Sequence, residues 1–258
     1  VSVQKSWAEL QKMHRACRIV ADALDALASA AVAGVKTKEL DKLARQTIER
    51  AGARPAFLGY RGYPASLCIS VNDEVVHGIP GERKLREGDI VGLDVGAIVD
   101  GFYGDAARTV PVGRVSAEAE RLMRVTRESL HAAIEACRLG ARVGDIGQAV
   151  QSHAEREGYS VVREFVGHGI GTSLHEEPQV PNYGPGGRRE RLVRGMCLAI
   201  EPMLNAGRPE VRTLDDGWTA VTADGSLSAH FELTVAVTEH GPWILSEPYP
   251  YALQEQHA

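Results

Sequence analysis

Leu10, Met13, Cys17, Val20, Leu24 and Leu27 recur at intervals of three and four residues, which predicts one long amphipathic helix. Ser6 and Glu9 precede it with the spacing of a capping box, and Gly34 supplies a stop. A second helix is expected from Thr37, with Leu40, Leu43 and Ile48 on its inner face and Gly52 at its end. From there to about Pro111 the pattern changes to short apolar runs broken by turn residues, the signature of strands. After Ser116 the helical spacing returns. Leu122, Leu130, Ile134 and Cys137 lead to Gly140, and Ile146, Ala149 and Val150 lead to Gly158.

The two helical pairs are one pattern used twice. A shift of 106 carries Gly34 onto Gly140, Leu40 onto Ile146, Glu49 onto Glu155 and Gly52 onto Gly158. "GDIVGLD" (88–94) then aligns with "GMCLAIE" (195–201) at a shift of 107, which lays Asp94 over Glu201. "HGI" at 77–79 recurs at 168–170 with a different shift. This predicts two αβ halves, about 1–112 and 113–258, packed face to face with acids at equivalent places on a central sheet.

Inside the strand region, "IVGLDVGAIVDGFYGDAARTV" (90–110) reads as a buried β-hairpin, because Asp100-Gly101 suits a type I′ turn. With those two as the loop, Val99 pairs with Phe102 and Asp94 with Ala107. Asp105, two residues away, shares the face of Asp94. Carboxylates on a buried face are costly unless something compensates them. A wet edge hairpin is one explanation; a cation between the acids is the other.

Further along, Glu201 interrupts the apolar run "MCLAIEPML", and Glu232 sits in "SAHFELTVAV", where Phe231, Leu233, Val235 and Val237 alternate away from it. His168 and His175 lie in the glycine-rich "VGHGIGTSLHEEP", where backbone can approach a ligand closely. Taken singly, such a histidine is usually a hydrogen-bonded surface residue and such a glutamate usually faces solvent. Four strand acids beside a glycine-flanked histidine point instead to a metal site. Their charge of about −4 is balanced by two divalent ions rather than one. Oxygen ligands with one imidazole suit Mn, Fe, Co or Zn better than Mg and leave the choice among them open. A water held between two such ions loses a proton near neutral pH and can attack a carbonyl that the ions polarise.

Composition narrows the rest. The 258 residues are 44% hydrophobic and 24% charged, enough to bury a sizeable core. A net charge of −5 argues against broad attraction to nucleic acid or anionic membrane. Cys17, Cys68, Cys137 and Cys197 form no C-x-x-C pair, as expected of reduced thiols in a cytoplasmic protein. The longest uncharged run near the start, "ALASAAVAGV", is too short to span a bilayer.

"NDEVVHGIPG", "LDVGAIVDGFYGDAART", "GHGIGTSLHEEPQVPNYG", "AIEPML" and "DGWTAVTADGSLSAHFELTV" resemble, in order and spacing, the successive motifs of type I methionine aminopeptidase. The resemblance covers essentially the whole chain. No cysteine-rich extension precedes Ser6 and no long helical insertion breaks the second half, so it is similar to the short bacterial form. It implies an α/β pita-bread fold, with two pseudo-symmetric αβ halves around a curved antiparallel sheet in one catalytic domain over 1–258. It also implies removal of the initiator methionine from nascent proteins when the second residue is small, through attack by a hydroxide held between two metal ions.

Position by position, the resemblance implies that Asp94, Asp105, His168, Glu201 and Glu232 are metal ligands, with Asp105 and Glu232 bridging. Glu201 also matches the general base, while His77 and His175 match residues that contact the substrate amide and its developing oxyanion. Phe57, Tyr60, Tyr63, Cys68, Leu174 and Trp218 stand where the methionine pocket is lined. Phe57 and Leu174 depart from the residues typical there. A monomer is expected. The basic stretch "GGRRERLVRG" (186–195) is either a solvated loop or a ribosome-docking loop. Two rivals share the architecture: a proline-specific aminopeptidase or prolidase, which resembles longer chains with an added N-terminal domain, and a non-catalytic binding protein that has lost ligands. All five ligands are present here.

Overall fold

The computed structural model describes residues 4–250; residues 1–3 and 251–258 of the expected catalytic domain lie outside them. Among the described residues there are four α-helices: α1 (Trp7–Ala30), α2 (Thr37–Arg50), α3 (Ala117–Ala136) and α4 (Val143–Arg156). Each begins where a cap or turn signal stood. Ser6 and Glu9 form a reciprocal capping box on α1, and the Ser116 hydroxyl accepts from the Ala119 amide on α3. All six expected core positions of α1 are buried. On α2 Leu43 is only half-buried, and on α4 Gly147 takes the inner position expected of Ala149 because α4 packs tightly on the backbone of Pro181 and Tyr183.

The main sheet has nine strands: β1 (Arg54–Pro55), β2 (Leu67–Val71), β3 (Ile90–Val99), β4 (Phe102–Pro111), β5 (Gly167–Gly169), β6 (Glu176–Val180), β7 (Cys197–Ile200), β8 (Glu232–Val237) and β9 (Pro242–Ile244). Their order is β1-β3-β4-β8-β7-β5-β6, with β2 added on β3 and β9 on β8, and every pairing is antiparallel. The expected hairpin register holds. Val99 pairs with Phe102 and Asp94 with Ala107, across a turn whose Asp100 and Gly101 have φ of 50° and 81°.

The two halves repeat their hydrogen bonds as well as their pattern. Gly34 donates to Leu85 O (2.8 Å) and Gly140 to Leu192 O (3.0 Å); Thr37 donates to Arg83 O (2.9 Å) and Val143 to Glu190 O (3.0 Å). Val20, Leu27, Leu40 and Ile48 pack with Leu93 and Val95 in one core cluster, and Leu122, Ile146, Leu198 and Ile200 pack in a second. These side chains are almost wholly out of water, and truncating one to alanine would cost about 2–5 kcal/mol. Among the described residues no helix is long and apolar enough to cross a membrane.

One expectation needs correction. "MCLAIEPML" and "SAHFELTVAV" are not continuous strands. The first leaves the main sheet after Ile200 and resumes as Met203–Asn205 in a small sheet; the second begins as Ser228–His230 in that small sheet and enters the main one at Glu232. Pro202 has no N–H to continue a ladder, and Met203–Asn205 pairs with Ser228–His230, so both chains turn the same corner side by side. Phe231 is buried at that corner and donates its amide to Pro202 O (3.3 Å).

Candidate functional site

Strand register gathers the acids. Ala107 pairs with Asp94 on one side and Glu232 on the other, so these two carboxylates flank a small residue in one cross-strand row. Asp105 lies two residues along β4 and faces the same way. His168 pairs with Ala199, two residues before Glu201, which puts Glu201 on that face as well. Glu201 and Glu232 both stand at the corner where strands change sheets, which is why each interrupts an apolar run.

The environment of these acids is nearly dry. Asp105, His168 and Glu232 are only 5%, 6% and 3% exposed. Oδ1 of Asp94, Oδ1 of Asp105 and Oε1 of Glu232 are buried without a hydrogen-bond partner among the described residues. Burial pushes Asp94 up to about 7 and Glu201 up to about 8. Burial, and then the neighbouring acids, push Asp105 and Glu232 well above the ordinary carboxylate range. A native protein seldom leaves so many buried polar atoms unsatisfied, and the donor set is one that divalent cations take. Ligand atoms of Asp105, His168 and Glu232 lie within 4.8 Å of one another, and so do those of Glu201, His230 and Glu232. Two trios sharing Glu232 fit a pair of ions.

His168 is prepared to be a ligand. Glycines flank it because a Cβ at Gly167 would meet the carbonyl oxygen of Ala199 and one at Gly169 that of Glu177. Its Nδ1 lies 2.9 Å from Gly169 O, so Nδ1 carries the proton and donates, leaving Nε2 bare. That Nε2 faces Glu201 Oε1 at 3.5 Å and Asp105 Oδ2 at 3.9 Å. Burial lowers its pKa to about 3, which keeps the ring neutral.

One cavity of about 160 Å³ is lined by every residue singled out in the sequence: Asp94, Asp105, His168, Glu201 and Glu232, His77 and His175, and Phe57, Tyr60, Tyr63, Cys68, Leu174 and Trp218. His175 sits beside His168 with ring centroids 4.1 Å apart, and its Nδ1 is 2.8 Å from the Tyr60 hydroxyl. Across the cavity, the His77 ring packs edge-on against Phe165, and Tyr63 packs edge-on against Trp218. Burial lowers His77 to about 4. The Tyr63 hydroxyl lies 2.9 Å from Gly78 O and 3.1 Å from Leu67 O, which share its one proton and fix the ring as a wall.

Sequence reasoning passed over two residues. His230 is buried, with Nε2 lacking a hydrogen-bond partner among the described residues and standing 3.6 Å from Glu201 Oε2; it joins a ligand trio in which the expected Asp94 has no part. Its position two before Glu232 was a usable signal. Arg61 also lines the cavity, and an arginine between turn glycines gives no such signal.

Comparison with known proteins shows the family and the fold. The profile of metallopeptidase family M24 matches residues 11–239. A methionine aminopeptidase of Clostridium perfringens is 50% identical over 244 residues, 95% of this chain and 98% of that one. Methionine aminopeptidase 1 of Bacillus subtilis is 50% identical over 92% of this chain and 96% of its own. The crystal structure of methionine aminopeptidase from Rickettsia prowazekii superposes with a TM-score of 0.94 at 42% identity, covering 96% of this chain and 100% of that one. A prolidase from Pyrococcus horikoshii shares the fold, with a TM-score of 0.77 at 22% identity, but this chain covers only 64% of it.

Proposed function

This chain belongs to metallopeptidase family M24, among its methionine aminopeptidases, and from that premise we propose how its own residues release an N-terminal methionine. The protein is a metal-dependent hydrolase. The observation that carries the reading is the row of buried, unpartnered carboxylate oxygens opening into one apolar-walled cavity. Asp94, Asp105, His168, Glu201 and Glu232 would hold two divalent ions, with Asp105 and Glu232 shared between them. Bound there, the ions would polarise the scissile carbonyl and supply an activated water. Their identity among Mn, Fe, Co and Zn is set by supply as much as by these ligands.

The remaining work falls to side chains. Glu201 takes a proton on its carboxylate and returns it to the departing amine. Tyr60 donates its hydroxyl to Nδ1 of His175, which leaves Nε2–H of His175 to donate to the carbonyl oxygen as negative charge develops. His77, neutral near pH 7, hydrogen-bonds the substrate amide. Phe57, Tyr60, Tyr63, Cys68, Leu174 and Trp218 surround the first side chain. The aromatic faces and the Cys68 sulfur of this wall suit one unbranched thioether.

The second residue passes the tight backbone around His168 and must be small. Four buried, unbridged cysteines suit a reducing cytoplasm. Exposed Arg188, Arg189 and Arg191 would give a ribosome a basic face to meet, and salt-sensitive co-sedimentation tests that contact. A panel of Met-X peptides tests the substrate reading. Met-Ala, Met-Ser and Met-Gly should be cleaved efficiently, Met-Lys, Met-Leu and Met-Phe poorly, and acetylated Met-Ala not at all; equal cleavage across X would contradict the second-residue filter.

A further inference from the structure

Arg61 is the single lysine or arginine lining the cavity, and the reaction derived above gives it no task. It is exposed, and among the described residues it has no ion-pair partner. The backbone holds it in an unusual place. Gly59, Arg61 and Gly62 have φ of 81°, 49° and 88°, so a bulky residue occupies a left-handed position that glycine would adopt more readily. The turn is closed by Gly59 N to Tyr63 O (2.8 Å) and Tyr63 N to Tyr60 O (2.9 Å), which fixes where the side chain emerges.

It emerges onto an aromatic platform. The guanidinium carbon lies 5.4 Å from the centroid of the Tyr60 ring. The Tyr60 ring in turn lies 5.4 Å from that of His175 and is tied to it through the hydroxyl. After burial, the nearby charge of Arg61 is the next cause lowering the pKa of His175. An unpaired cation is thus held at the cavity rim, beside the histidine assigned to the scissile carbonyl. A peptide whose α-amine points at the acids and whose first side chain fills the cavity must leave past this rim.

We propose that Arg61 reads a carboxylate on the departing part of the substrate, either an acidic side chain at the third residue or the free C-terminus of a very short peptide. The inference rests on the substrate reading above. A guanidinium already stacked on a ring gives up little freedom when it accepts a carboxylate, and the contact is weakened by salt because the site is open.

The test compares metal-loaded wild type, Arg61→Gln and Arg61→Glu on the amidated peptides Met-Ala-Asp-Gly and Met-Ala-Lys-Gly, and on Met-Ala with free and amidated C-termini. Wild type should prefer Asp over Lys about fivefold to tenfold in kcat/KM at low salt, chiefly through KM. Arg61→Gln should bring the ratio near one and Arg61→Glu should invert it. Loss of the free-over-amidated preference for Met-Ala in the same variants separates the terminal carboxylate from the side chain. Calorimetric binding of the same peptides reads the charge preference even where no methionine is released, so failure of the reaction and failure of this inference are distinct. An Asp-to-Lys ratio in binding and cleavage that Arg61→Glu leaves unchanged would overturn the proposal.

Discussion

Nε2 of His230 stands 3.6 Å from Oε2 of Glu201, on the carboxylate oxygen that His168 does not face. Glu201 therefore has one imidazole nitrogen near each of its oxygens. Removing His230 takes one ligand atom from the trio it forms with Glu201 and Glu232. His230→Ala should weaken binding of the more weakly held ion about tenfold to a hundredfold, while His230→Gln, which keeps a polar atom beside Glu201, should weaken it less. Calorimetric titration of the metal-free protein with Mn or Co checks this, and unchanged affinities in His230→Ala would contradict it.

The cross-strand row of Asp94 and Glu232 about Ala107 distinguishes the acids from one another. Asp105, only 5% exposed, is assigned to both ions. Asp105→Asn should lose both, and Asp94→Asn should mainly weaken one. Elemental analysis after dialysis reads the stoichiometry directly; two ions retained by Asp105→Asn would remove it from the shared position.

Metal uptake should release protons. In the metal-free fold Asp94 and Glu201 are raised to about 7 and about 8, against about 4 for an ordinary carboxyl. The folded chain therefore binds more protons than the unfolded chain between those limits. That contribution to stability is complete below about pH 4 and is lost as pH rises through 7 and 8. Ions replace the protons, so the gain in Tm on adding metal should grow from pH 5.5 to pH 8. Calorimetry at pH 7 in two buffers of different ionisation enthalpy should show about one proton or more released. Proton-neutral binding would contradict the protonated cluster.

The two neighbouring histidines should fail differently. His175→Ala should lower kcat roughly 10²-fold with metal content intact, because it removes an oxyanion donor. His168→Ala should lose metal. Tyr60→Phe leaves His175 without its partner at Nδ1 and should lower kcat by less than His175→Ala. Metal analysis beside steady-state kinetics checks the set; the reverse pattern in metal content would exchange the roles.

Much of this arrangement was legible because it depends on short-range chemistry. Asp100-Gly101 set the hairpin register, and with it the shared face of Asp94 and Asp105. Ser6 and Gly158 marked helix ends, while α1 and α3 stop at Ala30 and Ala136, short of Gly34 and Gly140. The recurrence at 106 and 107 laid Asp94 over Glu201. His230 was hidden by a long-range event. "SAHFELTVAV" looks like one strand, but Phe231 marks a corner between two sheets, and only the pairing of His230 with Met203 brings it toward Glu201. Arg61 was hidden for the opposite reason, since an exposed turn arginine is ordinary until a cavity is seen to open beside it.

The central claim is that the buried acids exist to hold divalent ions for release of an N-terminal methionine. Its most direct test is quantification of free methionine from Met-Ala-Ser by the chelated protein, before and after addition of Mn, Fe, Co or Zn in turn, with an Ala-Pro peptide alongside. The account predicts no release by the chelated protein, recovery of methionine release with at least one of these ions, and little cleavage of Ala-Pro. Full release after exhaustive chelation would contradict the metal claim, and cleavage of Ala-Pro with Met-Ala-Ser left intact under every ion would contradict the substrate.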